Sequence, residues 1–279
     1  FPYTTLFRSG KVCEYINTGV WTKKAIKEAE ILGINYKVVA SSEDTNFDRI
    51  PLIPELSQDA DYTYICSNNT IYGTQYKEFP KTKSLLVIDS SSDLFSREID
   101  TKNIGLFYGG IQKNGGPAGV TLVVIRKDLA NRVASNVPNI LRYKTQIDAN
   151  SMSNTPNTFG IYMLNLMLEK LIKEGGLKAV NEKNEKKAAL LYSAIDEMSD
   201  FYKGHAKKDS RSLMNVSFNI TKGEEFEKKF VSEALENNMM GLKGHRHLGG
   251  IRASIYNAIT YENVETLVSF MRDFAKKNG

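Results

Sequence analysis

The sequence predicts an α/β protein: one large domain built on a mostly parallel sheet flanked by helices, followed by a smaller C-terminal α+β domain. Three observations carry this expectation. Short apolar strands recur between helical stretches, and several are unbroken runs such as Leu85-Leu86-Val87-Ile88, which suits strands buried on both faces. Beyond Pro156 the texture changes to long helical segments separated by a double glycine.

Taken in order, Ala25, Ile26, Ala29 and Leu32 recur at helical spacing, predicting a helix over 22–32 that Gly33 stops. Strands are expected at 36–40, 62–66, 85–88, 105–108 and 120–125. A largely apolar helix over 159–173 ends at Gly175-Gly176, and an amphipathic helix follows over 177–198. The remainder reads as strand 213–220, helix 224–237, strand 250–255 and helix 262–276. The expected division is therefore a large domain at 10–176, incomplete at its N-terminus, and a small C-terminal domain at 177–279. Residues 1–9 begin without methionine, show no periodicity, and are expected to be a non-native leader.

Bulk composition narrows the function. The 279 residues are 41% hydrophobic and 25% charged, as in ordinary globular proteins. The formal charge of +5 comes from lysines interspersed with glutamates, as in 181–187, so no nucleic-acid patch is expected. No apolar run approaches the roughly 20 residues that span a bilayer, and no membrane association is expected. Cys13 and Cys66 lie far apart, the three histidines lack zinc-site spacing, and no metal is expected. Reduced thiols and a cytoplasmic location are the plain expectation.

The sharpest local feature is 108–119, Tyr-Gly-Gly-Ile-Gln-Lys-Asn-Gly-Gly-Pro-Ala-Gly, which sets Lys113 in a turn of small residues between two strands. No Gly-Lys-Ser/Thr follows and the dinucleotide pattern is absent, so phosphate-loop readings fall away. A lysine is costly to fix and to bury, and Schiff-base chemistry is one reason to do so, because desolvation frees the amine near neutral pH. An exposed loop lysine is the plainer alternative. Asp89 closes the strand over 85–88 at its carboxyl end, where open α/β sheets place ligands, and a carboxylate there can hold a pyridine nitrogen protonated. Its alternative is a turn or helix-capping aspartate ahead of Ser90-Ser91-Ser92.

Six segments in order resemble the phosphoserine aminotransferase family within the class-V aminotransferases: Asn17-Thr-Gly-Val-Trp21, Cys66-Ser-Asn-Asn-Thr70, Ile88-Asp-Ser-Ser-Ser92, Gly110-Ile-Gln-Lys-Asn-Gly-Gly-Pro-Ala-Gly119, Asn154-Thr-Pro156, and Lys243-Gly-His-Arg246 with Gly249-Gly-Ile-Arg-Ala-Ser-Ile-Tyr-Asn257. The resemblance runs from about Gly10 to Gly279. It implies an aspartate-aminotransferase-like fold and pyridoxal 5'-phosphate as cofactor. Lys113 would form the Schiff base and shuttle the proton, Asp89 would hold the ring nitrogen, Trp21 would stack on the ring and Thr70 would bond its phenolic oxygen. Gln112 would help hold the cofactor phosphate, and Asn154 and Thr155 would reach the phosphate bound by the other subunit of a homodimer with shared active sites. His245 and Arg246 are matched to the phosphate or side-chain carboxylate of the substrate, and Arg252 to its α-carboxylate.

The implied reaction passes an amino group from glutamate to 3-phosphohydroxypyruvate, giving phosphoserine and 2-oxoglutarate in serine biosynthesis, with phosphohydroxythreonine of pyridoxal phosphate synthesis as a related substrate. The family's N-terminal segment is missing from this reading, and residues 1–279 alone are expected to be weakly active or inactive. Plainer readings stand beside these roles: Trp21 as a core anchor, and 245–247 as a basic surface turn. Other class-V enzymes are the near rivals, and a chain that keeps the fold without the activity is the distant one. A cysteine desulfurase needs a mobile nucleophilic cysteine, for which neither Cys13 nor Cys66 is suited.

Overall fold

The computed structural model describes residues 11–133 and 137–279, so the expected leader at 1–9 lies outside the described residues. The first strand, β1 (Cys13–Asn17), leads into helix α1 (Val20–Ile31) and strand β2 (Tyr36–Ser41). The helix starts two residues earlier than its apolar spacing indicates, which brings Trp21 into its first turn. It stops where expected, with Gly33 at φ 64° and its amide bonded to the Glu30 carbonyl.

Strands β3 (Tyr62–Cys66), β6 (Leu85–Asp89), β7 (Ile104–Gly110) and β8 (Thr121–Ile125) complete the main sheet, while β4 (Asn68–Asn69) and β5 (Thr74–Gln75) form a small hairpin. The sheet order is β2-β1-β3-β6-β7-β8, with every pair parallel except β7 and β8. The mixed α/β architecture is as expected. Strand β1 escapes an apolar-run reading because Glu14 interrupts it. That carboxylate is buried in the sheet, accepting from the Thr63 hydroxyl at 3.2 Å and the Ser57 amide at 3.2 Å.

One face of the sheet packs Tyr15, Tyr64, Val87 and Leu106 with Ala25 and Ala29 of α1, and the opposite face packs Ile16, Ile65, Leu86 and Ile88. This alternation follows the two-residue period of a strand. After the short helix α2 (Tyr143–Asp148), which the sequence reading did not anticipate, helix α3 (Thr158–Lys173) is followed by α4 (Gly176–Glu197). The turn between them has Gly175 at φ 101° and Gly176 at φ 72°, the double glycine at which the sequence predicts a domain boundary.

The C-terminal part forms an antiparallel sheet, β11-β10-β9, from β9 (Tyr202–Gly204), β10 (Asn215–Ile220) and β11 (Ile251–Ser254), covered by α4, α5 (Glu224–Glu236) and α6 (Tyr261–Asn278). Its core is separate and aromatic, with Tyr202, Phe218, Phe230 and Phe274 in edge-to-face contact. Strand β9 is too short to signal itself by pattern. A buried polar seam joins the two parts: Asn68 Nδ2 donates to Ser92 Oγ at 2.8 Å and Asn215 Oδ1 at 2.9 Å, and Ser217 Oγ donates to the Ile71 carbonyl at 2.8 Å. Such bonds fix register where apolar packing alone would permit sliding.

Candidate active site

Parallel register builds the floor of the site. Cys66 pairs with Asp89, and Asp89 with Tyr108, so three side chains line up across the carboxyl ends of β3, β6 and β7. This is the edge at which open α/β sheets bind ligands. The turn over 111–119 that follows β7 brings Lys113 back over that edge. A cavity of about 730 Å³ results, lined by Trp21, Cys66, Thr70, Asp89, Tyr108 and Lys113 among others, within the range of small-molecule sites.

Lys113 and Asp89 therefore share one cavity on one side of the sheet. Lys113 Nζ donates to Thr70 Oγ1 at 3.1 Å. Burial is the main influence on this amine and lowers its pKa from the usual 10.5; Cys66, Asp89 and Asp93 oppose the shift, and Arg252 adds to it. The free base is thus more abundant below pH 10.5 than in a surface lysine. The rate of pyridoxal phosphate uptake by the apo-protein is expected to rise with pH through a midpoint below 10.5. Stopped-flow absorbance across that range measures it, and a midpoint at or above the ordinary lysine value contradicts the assignment.

The remaining expected residues divide. Asp89 Oδ1 accepts from the Ser91 amide at 2.9 Å, so the turn-capping alternative describes one of its oxygens while the side chain still faces the cavity. Trp21 is 40% exposed, with Lys24 Nζ 4.7 Å from its ring centroid; it is no core anchor. Gln112 is exposed on the cavity wall. Arg252 on β11 is outside the lining residues but lies against one of them, its guanidinium 3.4 Å from the Thr70 carbonyl oxygen, and its buried Nε has no partner among the described residues. A donor left this way suits an anionic ligand.

His245 and Arg246 lie on the turn before β11, outside the residues lining the cavity. The His245 ring stacks on His247 at 5.1 Å. Partial burial, then His247, Arg252, Arg246 and Lys24, hold its pKa below the usual 6.5, which marks a locally cationic patch. Asn154 and Thr155 are exposed ahead of α3 and are not brought to this cavity. Sequence reasoning missed Tyr64 and Tyr108, whose hydroxyls are 3.3 Å apart in the cavity wall, and Tyr256, whose hydroxyl accepts from Asn215 Nδ2 at 3.2 Å. Tyrosine in a strand reads as packing until neighbouring strands show where its hydroxyl goes.

The donor set suits an aromatic aldehyde with a basic ring nitrogen: an amine to bind the aldehyde, a carboxylate to pair with the nitrogen, and an indole on the wall. It does not suit thiol chemistry. Burial pushes the Cys13 thiol up to about 12 and raises Cys66 well above its usual range. Among the described residues no group of three or more His, Cys, Asp or Glu is placed to hold a metal.

Residues 4–267 match the family model described as Aminotransferase class-V. Phosphoserine aminotransferase of Campylobacter lari is 58% identical over 271 residues, 97% of this chain and 75% of that protein. The chain belongs to the phosphoserine aminotransferase family, within class V. Among solved members of the family, the phosphoserine aminotransferase of Bacillus circulans subsp. alkalophilus is 45% identical with a TM-score of 0.95, covering 99% of this chain and 77% of that one. A PLP-bound phosphoserine aminotransferase from Trichomonas vaginalis is 35% identical with a TM-score of 0.90, covering 96% and 77%. The family fold therefore spans this chain, which accounts for about three quarters of each relative's length.

Proposed function

We propose that this chain transfers an amino group between glutamate and 3-phosphohydroxypyruvate, forming phosphoserine and 2-oxoglutarate, with pyridoxal 5'-phosphate held in the cavity. The supporting observation is the meeting of the Lys113 amine and the Asp89 carboxylate in one cavity that Arg252 overlooks. Bound there, pyridoxal phosphate supplies an aldehyde for the lysine amine and a cationic ring that accepts the electron pair released at the substrate α-carbon.

The chain's own residues do the rest. Asp89 keeps the ring nitrogen protonated, and Trp21 and Thr70 hold the ring's plane and its phenolic oxygen. Gln112 meets the cofactor phosphate. Lys113, its pKa lowered by burial, acts as base and then acid within each half-reaction, taking a proton from one carbon and returning it to another before the product leaves. Arg252 binds the substrate α-carboxylate through its planar fork, while His245 and Arg246 provide the cationic patch for the distal phosphate or carboxylate.

That patch makes a direct prediction. With 2-oxoglutarate as acceptor, kcat/KM for phosphoserine should exceed that for serine by roughly a hundredfold, because the serine complex leaves the cationic groups unpaired. Equal values for the two donors, measured by steady-state glutamate formation, would sink the substrate assignment while leaving the cofactor assignment intact.

A homodimer is part of this reading. On α3, Phe159, Tyr162 and Leu166 are exposed at i, i+3 and i+7 and form an apolar stripe, with Ile140 and Met152 also exposed in the segments before it. Asn154 and Thr155 stand beside that stripe, where they can serve the partner subunit's cofactor phosphate. Sedimentation at micromolar concentration should show a dimer that Phe159→Glu converts to monomer; a monomeric parent overturns this part. No helix among the described residues is long and apolar enough to cross a membrane. With Cys13 and Cys66 both free thiols, we assign the chain to the cytoplasm.

A further inference from the structure

The most deeply buried ammonium among the described residues lies outside the cavity. Lys187, within α4, is 2% exposed and sends its donors to three backbone carbonyls: Ile255 at 3.1 Å, Tyr256 at 2.9 Å and Ile259 at 2.8 Å. Burial draws its pKa down to about 8. A neutral amine has only two N–H groups and would leave one carbonyl short, so the carbonyl set matches the charged form. An apolar side chain of similar volume fills such space without the cost of burying a charge, so packing alone does not explain a lysine here.

The segment it grips leads to Lys113 by two routes. Tyr256 lies against Thr70, and the Thr70 hydroxyl accepts from Lys113 Nζ. Asn257 donates its backbone N–H to Asn114 Oδ1 at 3.0 Å, and Asn114 is the residue after Lys113. Asn114 is itself buried and donates to the Leu94 carbonyl at 2.9 Å. Asn184, one turn before Lys187 on α4, donates to Asn257 Oδ1 at 3.0 Å and to the Ser96 carbonyl at 3.1 Å, while Asn257 Nδ2 donates to the Phe95 carbonyl at 2.9 Å. Of these bonds, the Asn257 N–H to Asn114 Oδ1 joins the C-terminal part to the Lys113 turn, and those from Asn184 and Asn257 Nδ2 tie it to the 95–96 segment.

We propose that Lys187 is a positioning residue: by clamping the 255–259 segment it sets, through Asn257 and Asn114, where the Lys113 amine sits against Thr70. This deepens the proposed function and rests on it for its catalytic meaning, although the placement of Lys113 is testable without cofactor. Lys187→Met keeps the volume and removes the clamp. In the apo-protein, acetylation of Lys113 followed by mass spectrometry across pH should then give a titration midpoint higher by about half a unit, as the amine leaves its desolvated seat. In the cofactor-loaded protein kcat should fall roughly tenfold with little change in KM for glutamate.

Asn114→Ala, which cuts the route at its other end, should shift the midpoint the same way, and the double variant should do no more than the larger single change. A lower melting temperature with an unchanged Lys113 midpoint would assign Lys187 a structural role only and overturn the proposal. If Lys187→Met does not fold, Asn114→Ala decides: a parent-like midpoint overturns the proposal, and a raised one supports it. Failure of the parent to take up pyridoxal phosphate counts against the proposed function, while the acetylation midpoints still judge the clamp.

Discussion

Lys113→Ala is expected to abolish covalent retention of pyridoxal phosphate and to lower transamination by roughly a thousandfold or more, since the same amine binds the aldehyde and moves the proton. Borohydride reduction followed by peptide mass spectrometry reads the first effect, and steady-state kinetics the second. The fold should survive. Lys113 contributes one hydrogen bond to Thr70, and removing a desolvated amine relieves a cost that offsets the loss. A variant that still forms a reducible adduct at another lysine, with near-parental turnover, would displace Lys113 from the centre of the mechanism.

Asp89→Asn is expected to reduce kcat by about a hundredfold while leaving the local structure in place. Asparagine keeps an oxygen for the Ser91 amide and almost the same volume, and it loses only the charge. The sign of a second effect separates causes. Asp89 holds the Lys113 pKa up, so its neutralisation lowers that pKa further and makes more free amine available. A fall in kcat therefore does not come from a shortage of free amine, and the unpaired ring nitrogen is its expected cause. Parallel measurement of kcat and of the Lys113 midpoint tests this directly, and an unchanged kcat would remove Asp89 from the ring-nitrogen role.

Lysine placement was legible because a crowded turn of glycines around a single cation has few inexpensive explanations. The apolar runs at 62–66 and 85–88 were legible because a strand covered on both faces needs no polar alternation. Glu14 hid β1, since a carboxylate argues against burial unless its partners are known, and Thr63 and the Ser57 amide come from elsewhere in the chain. The antiparallel course of β8 was hidden for a similar reason: direction is set by how the loop after β7 turns, and a strand's own residues do not encode it.

By itself, the sequence determined the chemistry on offer: one amine in a tight turn, one carboxylate closing a strand, and arginine near the C-terminal end, in an order shared with one enzyme family. Local composition suffices there, because turn geometry and strand burial act over a few residues. Only the tertiary structure decided that Cys66, Asp89 and Tyr108 form one row, that Arg252 reaches across from a second sheet to Thr70, and that Lys187 grips the segment docked on Asn114. These are contacts between residues 19 to 182 positions apart. They exist because strand register and domain packing bring distant segments to hydrogen-bond distance, and no local pattern records that.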